Sequence, residues 1–353
     1  MVLPKDVVVC SYRLGGRDGV AVEAAKWIAA LRGLGCEVKT VAGEGVCDET
    51  VEGLAQDHVH APSRRAIREA FDGADLVVVE NLCSLPLNPL AFAQVADALV
   101  SRPAILHHHD LAIERPNFAH FGPPPTDDAW LHVCVSRYAR HLLNSEGIAA
   151  HVCYNAFETH PCLGDRSALR AALGMADDEI LVLQPTRAIA RKAVPVGLDL
   201  AQSIGAMYWL TGDVEDGYEE TLHTVFEHAR TRVVHQSVED LGHTIEDAYG
   251  ACDLVVLPSH WEGFGNPAIE SAVFRRPLSI GDYPVAKELR SLGFSWHRAD
   301  DPRSLATYVE SFDESLASRN ATIAQEHFSL DALHERLGVL LERSMAPRHS
   351  ART

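Results

Sequence analysis

The chain reads as an α/β protein of two Rossmann-like domains. Three observations carry that expectation. Short apolar strands alternate with helices from end to end, the alternation pauses once in a Pro- and Gly-containing segment at 157–165, and 353 residues exceed what one hydrophobic core usually spans. Parallel sheets covered by helices on both faces bind ligands outside the carboxyl ends of their strands. Two such sheets are expected to face each other across an interdomain cleft, so residues that do chemistry should follow strands directly.

The elements come in order. Residues 7–11 form an apolar strand, and 20–34 repeat apolar side chains at helical spacing. Strands follow at 37–42, at 76–80 and, after Pro103, at 104–108. A short apolar strand at 131–135 leads into a helix over 137–143, started by Ser136, whose hydroxyl can accept from an unpaired helix N–H. Residues 151–154 close the first half, and 157–165 link it to the second. There the spacing predicts strand 180–184, helix 196–203, strand 207–211, helix 219–228, strand 232–235 and a helix near 244–249. The buried strand 253–257, helix 269–274, strand 277–280 and helix 284–292 follow, and from Pro302 onward the pattern is helical.

Composition narrows the function. With 47% hydrophobic and 23% charged residues the chain is of soluble globular type, and a net charge of −18 argues against general nucleic-acid binding, which needs basic surface to replace counterions. No apolar run reaches the roughly 18 residues of a membrane-spanning helix. Residues 1–6 lack the charged-then-apolar layout of a secretory signal, which predicts a cytoplasmic location with peripheral membrane contact left open. The eight cysteines show neither C-x-x-C pairs nor metal-ligand spacing, so they read as reduced core residues.

Four segments follow strands and carry chemistry. After the first strand, Gly15, Gly16 and Gly19 make a loose glycine loop suited to a phosphate or to an acceptor; the spacing is not G-x-G-x-x-G, which excludes a dinucleotide fingerprint. Asp18 in that loop reads either as the cap of the next helix or as a ligand contact. The second segment is His107-His108-His109-Asp110. Side chains alternate along a strand, so three adjacent histidines make a poor zinc cage; His109 is the one placed to face a sugar, unless backbone partners satisfy it. The third segment carries Arg187, Arg191 and Lys192, and a guanidinium and an ammonium off one strand end can neutralise a diphosphate. The fourth, 258–270, reads Pro-Ser-His-Trp-Glu-Gly-Phe-Gly-Asn-Pro-Ala-Ile-Glu. Gly263 and Gly265 flank Phe264 and let backbone approach a ligand, Asn266 and Pro267 suit a helix start, and Glu262 and Glu270 suit a polyhydroxylated, phosphate-bearing ligand. Trp209, Trp261 and Phe264 read as packing residues.

The Glu262-to-Glu270 spacing resembles the E-x7-E motif of retaining glycosyltransferases of the GT-B fold, and the chain resembles members of family GT4. Arg187 and Lys192 match the family's R-x4-K spacing, His109 its strand-end histidine, and Gly212 and Asn155 also fit. The resemblance implies a GT-B architecture with an acceptor-binding domain over 1–158, a donor-binding domain over 159–330, and a last helix, about 331–345, that packs back on the first. It implies that Arg187 and Lys192 hold the diphosphate of a GDP- or UDP-sugar, Glu270 the ribose, and Glu262 the sugar hydroxyls. By the same likeness the backbone N–H groups of Gly263, Phe264 and Gly265, with Gly16 and Gly19, meet the donor. His109 lies beside the sugar's 6-position, and Asp18 and Asp110 meet the acceptor. Catalysis would fall to His109, Glu262, Arg187 and Lys192, with no metal and no cofactor beyond the donor. Thr186 and Ala193 stand where the family has glycine. Retention without an obvious nucleophile implies front-face attack, with Glu262 as positioning residue or as nucleophile. The lack of a basic amphipathic helix in the first half favours a soluble acceptor over a lipid. A nucleotide-sugar 2-epimerase and a non-catalytic nucleotide-sugar-binding protein are the alternatives on the same fold.

Overall fold

The computed structural model of the chain describes residues 3–16, 18–162, 164–176 and 178–346. It divides into two compact units: the chain up to Ala156 together with the chain from Leu330 onward, and Phe157–Ser329 between them.

The first unit holds strands β1 (Asp6–Leu14), β2 (Glu37–Gly45), β3 (Glu49–Thr50), β4 (Leu76–Glu80), β5 (Ala104–His108), β6 (Trp130–Cys134) and β7 (Ala150–Val152). They form one parallel sheet in the order β3-β2-β1-β4-β5-β6-β7. Helices α1 (Gly19–Gly33), α2 (Arg64–Ala70), α3 (Pro89–Leu99) and α4 (Arg137–Ser145) supply the crossovers. Every residue of β4, Leu-Val-Val-Val-Glu, is buried, as a strand covered on both faces requires. Alternation decides which face each residue takes. Val7, Val9, Leu76, Val78 and Ile105 pack on Trp27 and Leu31 of α1, while Val8, Cys10, Val77, Val79 and Leu106 pack on Ile67 of α2 and Val95 and Leu99 of α3.

The second unit repeats the plan. After α5 (Arg166–Ala172) come β8 (Leu181–Gln184), α6 (Val194–Ser203), β9 (Met207–Leu210), α7 (Glu219–Glu227), β10 (Val233–His235), α8 (Ile245–Ala251) and β11 (Leu254–Leu257). Then follow α9 (Asn266–Val273), β12 (Leu278–Ile280), α10 (Pro284–Ser291), β13 (His297–Arg298), α11 (Leu305–Ser311) and α12 (Glu314–Phe328). The sheet order β10-β9-β8-β11-β12-β13 is that of a doubly wound Rossmann sheet. The last helix, α13 (Leu330–Met345), belongs to the first unit, where Leu333, Leu337, Leu340 and Leu341 join the α1 side of the core.

The two-Rossmann expectation holds. Helices α2, α3 and α5 lie outside the sequence expectation. α2 and α5 are seven residues long and largely charged or small, too brief to show a period. α3 announces itself only by its cap, Asn88, whose side chain accepts from Ala91 N, followed by Pro89 at the first position. The segment 157–165 is tied into the second unit rather than free, since Phe157 N donates to Phe328 O at 2.7 Å. Six cysteines (10, 36, 83, 134, 153 and 252) are buried, and all eight are unbridged. Among the described residues no helix is long and apolar enough to cross a membrane.

Candidate active site

In a doubly wound sheet the crevice opens where the strand order reverses, between β8 and β11 in the second unit and between β1 and β4 in the first. Of the four segments singled out by sequence, the first follows β1, the third β8 and the fourth β11, while the histidine segment follows β5, the neighbour of β4.

In the second unit, Gln184 ends β8 fully buried and organises the loop that follows. Its amide donates to Thr186 Oγ1 and to Lys192 O, both at 3.1 Å, and its carbonyl accepts from the Tyr208 hydroxyl at 2.7 Å. Gly212 lets the loop after β9 close on this one, because a Cβ there would lie 2.4 Å from Thr186 O. The loop thereby delivers Lys192, buried, to Glu262 beyond β11, and Nζ donates to Oε1 at 2.5 Å. Arg191 donates to Glu262 Oε2 at 2.8 Å and to Trp261 O at 3.1 Å, with its guanidinium over the Trp261 ring. The Ser259 hydroxyl adds a third donor to the carboxylate at 2.5 Å. Burial alone would push the Glu262 carboxyl up; Lys192, Arg191 and Ser259 outweigh it and hold it below the ordinary carboxylate value. Burial pulls the Lys192 ammonium down; Glu262 offsets this only in part, and the like charge of Arg191 adds to the fall.

Arg187 sits differently. It is nearly half exposed and pairs with Glu215 at 2.5 Å, while Arg191 is the basic residue that joins Lys192 on Glu262. Gly265 is in the left-handed region (φ 95°), where a Cβ would come within 2.8 Å of the Tyr283 hydroxyl, and it turns the chain into α9 at Asn266–Pro267. Gly263 is half-buried, while Phe264 is buried among Phe157 and Phe328 and packs as expected of it. Glu270, half-buried on the second turn of α9, accepts from the Tyr249 hydroxyl at 2.6 Å.

In the first unit Gly15 (φ 70°) and Gly16 turn the chain after β1, and Gly19 is exposed at the start of α1. Asp18 caps that helix: Oδ1 accepts from Val20 N and Ala21 N at 3.1 Å each, and Oδ2 accepts from Arg13 at 2.9 Å. The cap reading of Asp18 is realised.

Alternation divides the three histidines as the sequence implies. His108 turns to the α3 side, against the Ser84 hydroxyl at 2.5 Å and His132 at 3.0 Å, and burial drives it well below the ordinary histidine value. His107 and His109 turn the other way, onto Glu80 at the end of β4. His107 Nδ1 lies 2.8 Å and His109 Nε2 2.7 Å from the same oxygen, Oε2, and His107 stacks on Trp27 of α1. Asn81, in the left-handed region at φ 57°, accepts with its side chain from His109 N at 3.1 Å and Asp110 N at 3.0 Å. Asp110 is half-buried and lies 3.7 Å from Arg115. Burial pushes Glu80 up, but the two histidines outweigh it and bring it down to about 2. Burial likewise opposes charge on His109, yet Glu80 lifts it above the ordinary value. His107 goes the other way, driven down by burial that Glu80 only partly offsets.

Sequence reasoning missed Glu80, Asn81, Ser259 and Tyr249 as members of these clusters. One signal was present: Glu80 is the single acid ending an otherwise wholly apolar strand, a position too costly to occupy without partners.

No protein-family model matches the chain. It is 26% identical, over a 436-residue alignment covering 97% of this chain and 100% of the relative, to the mannosylglucosylglycerate synthase of Thermotoga maritima. Its fold is similar to that of Anabaena HepE solved with UDP-glucose (TM-score 0.74, 17% identity, 96% of this chain and 99% of that one). It is also similar to the sucrose-phosphate synthase of Thermosynechococcus elongatus (TM-score 0.71, 15% identity, 96% and 98%). With two doubly wound sheets and these likenesses, the chain is a glycosyltransferase of the GT-B fold.

Proposed function

We propose that the chain is a retaining, metal-independent hexosyltransferase of family GT4, moving a hexose from a nucleoside-diphosphate sugar to an acceptor hydroxyl by front-face attack. The observation that carries this reading is the Lys192–Glu262–Arg191 cluster at the reversal point of the second sheet. A buried ammonium and carboxylate with a half-buried guanidinium match a ligand that carries both phosphate charge and hydroxyl donors.

In this reading Lys192 and Arg187 take the diphosphate, Glu262 orients the sugar hydroxyls, and Glu270, steadied by Tyr249, binds the ribose. Gly16, Gly19 and the backbone N–H groups of Gly263, Phe264 and Gly265 contact the donor, and Asp110 and Asp18 the acceptor. Donor engagement by Arg187 requires it to leave Glu215. The bond from the anomeric carbon to the phosphate oxygen breaks as the acceptor oxygen bonds on the same face, and the departing diphosphate takes the acceptor's proton. The products are a glycoside of unchanged anomeric configuration and a nucleoside diphosphate, whose growing charge the cations stabilise. His109 contributes a polar ring beside the sugar.

The name of the Thermotoga relative makes a mannosyl donor and glucosylglycerate the first substrate pair to assay. The test is transfer from GDP- and UDP-hexoses in excess chelator, with the product anomer read by NMR, in the wild type and in Lys192→Ala, Glu262→Ala and His109→Ala. Retention with chelator-insensitive turnover and a loss of at least about 100-fold in the Lys192 and Glu262 variants is expected. An inverted product sinks the mechanism, unchanged rates in those variants sink the site, and conversion of donor with no acceptor present points to the epimerase.

A further inference from the structure

Two consecutive residues at the end of β4 grip His109 at both ends. Glu80 takes the ring through Nε2 at 2.7 Å, and the Asn81 side chain takes the backbone N–H groups of His109 and Asp110. Asn81 reaches them from a left-handed conformation, which asparagine adopts more readily than other non-glycine residues. The His109 ring is 7% exposed, and its other nitrogen, Nδ1, makes no hydrogen bond to any described residue. We infer that Glu80 and Asn81 are positioning residues that hold His109 protonated at Nε2, toward Glu80, and leave Nδ1–H to donate to an oxygen of the substrate. This rests on the role given to His109 above.

The surroundings agree in sign. Glu80 is fully buried and, among the described residues, its carboxylate is shared by the two rings alone, so water screens it little. The other ionisable groups acting on His109 are Glu23 on α1, buried and paired with Lys26 at 3.1 Å, and Asp110, 3.7 Å from Arg115. His107, which lies on the same carboxylate oxygen, is itself driven down by burial. The net field on His109 is negative, which favours imidazolium. A carboxylate on one nitrogen also fixes the ring plane, so Nδ1 has one direction in which to point.

The experiment is the pH dependence of kcat in the full chain, with imidazole 15N shifts followed in parallel on the free protein. In the wild type, activity is expected below the raised His109 value and lost as pH rises through it. In Glu80→Gln that alkaline limb should move toward acid by about one pH unit or more, the size of shift an adjacent opposite charge produces. Asn81→Ala should lower kcat at every pH while leaving the limb in place, since it removes the backbone grip and no charge. An alkaline limb identical in wild type and Glu80→Gln overturns the inference. The NMR titration decides independently of turnover and of whether the variant folds: a wild-type His109 that titrates at or below the ordinary histidine value, or carries its lone proton on Nδ1, also overturns it. Full activity of His109→Ala would instead remove the substrate role of His109, and that outcome is separable because the free protein's titration does not depend on it.

Discussion

Removing the Glu262 side chain should destabilise the second unit far more than its single position in a loop implies. The carboxylate is 6% exposed and accepts from Lys192 (2.5 Å), Arg191 (2.8 Å) and Ser259 (2.5 Å). In Glu262→Ala the ammonium of Lys192, only 10% exposed, faces the Arg191 guanidinium with no counter-charge. Breaking a buried pair by removing one partner costs about 3–5 kcal/mol; the lower end applies here, because Arg191 is 24% exposed and can turn to water. Calorimetry at neutral pH should therefore show the second unit's transition falling in temperature. The double variant Glu262→Ala/Lys192→Met, which removes both buried charges, should recover most of the loss, a coupling of at least about 1.5 kcal/mol. The pH dependence has a defined sign. The folded Glu262 value lies below the ordinary carboxylate value, so its contribution is complete above about pH 4.5 and is lost as pH falls through the folded value. Strictly additive costs, or a loss under about 1 kcal/mol for Glu262→Ala, would show that the cluster is a solvated contact and refute the reasoning.

Two further outcomes follow from the same geometry. Gly265→Ala must hold a Cβ at φ 95° and 2.8 Å from the Tyr283 hydroxyl, so it should cost about 1–3 kcal/mol and weaken nucleotide-sugar binding by displacing the start of α9; calorimetry and titration of UDP-glucose and GDP-mannose read both, and an unperturbed variant would mean the turn relaxes freely. His108 is buried and held neutral, its folded value well below the unfolded one, so its share of stability is present above about pH 6.5 and is lost as pH falls through the folded value. The melting temperature of the wild type should fall between about pH 6.5 and 5, and His108→Gln should flatten that slope; an equal slope in the variant would place the acid sensitivity elsewhere.

How much of this was legible in sequence depends on whether the signal was local. The longer strands of both sheets read correctly because β-branched, buried runs such as Leu254–Leu257 stand out against their neighbours, whereas the two-residue edge strands β3 and β13 are too short to show a pattern. The E-x7-E and R-x4-K spacings placed Glu262, Glu270, Arg187 and Lys192 after the right strands. They could not say who pairs with whom. Arg187 and Arg191 are both basic residues in one loop; the 3₁₀ turn at Ala190–Lys192 brings Arg191 to Glu262, while the bridge between Ala188 and Val214 sets Arg187 beside Glu215. The Glu80–His109 contact was illegible for a related reason: it joins residues 29 apart whose meeting depends on β4 and β5 being neighbours in register, with Glu80 opposite His107. Alternation along β5 was read correctly, but it tells which histidines share a face, not what waits on that face.

The two sheets solve one problem in the same way. Each has a buried acid at the carboxyl end of the strand that follows the reversal, Glu80 ending β4 and Glu262 five residues beyond β11, and each acid is shared by two nitrogen donors. A lone buried carboxylate would cost several kcal/mol or take up a proton. Shared between two donors it stays charged, and each donor is held in one orientation. That arrangement also leaves something over: Arg191 and Lys192 divide a single negative charge, and His109 keeps one nitrogen unused. A site that balanced its charges completely would have little to offer a diphosphate or a hydroxyl. In the site proposed above the surplus is cationic in the second unit and, by the inference drawn for His109, a hydrogen-bond donor in the first, each at the carboxyl end of a strand.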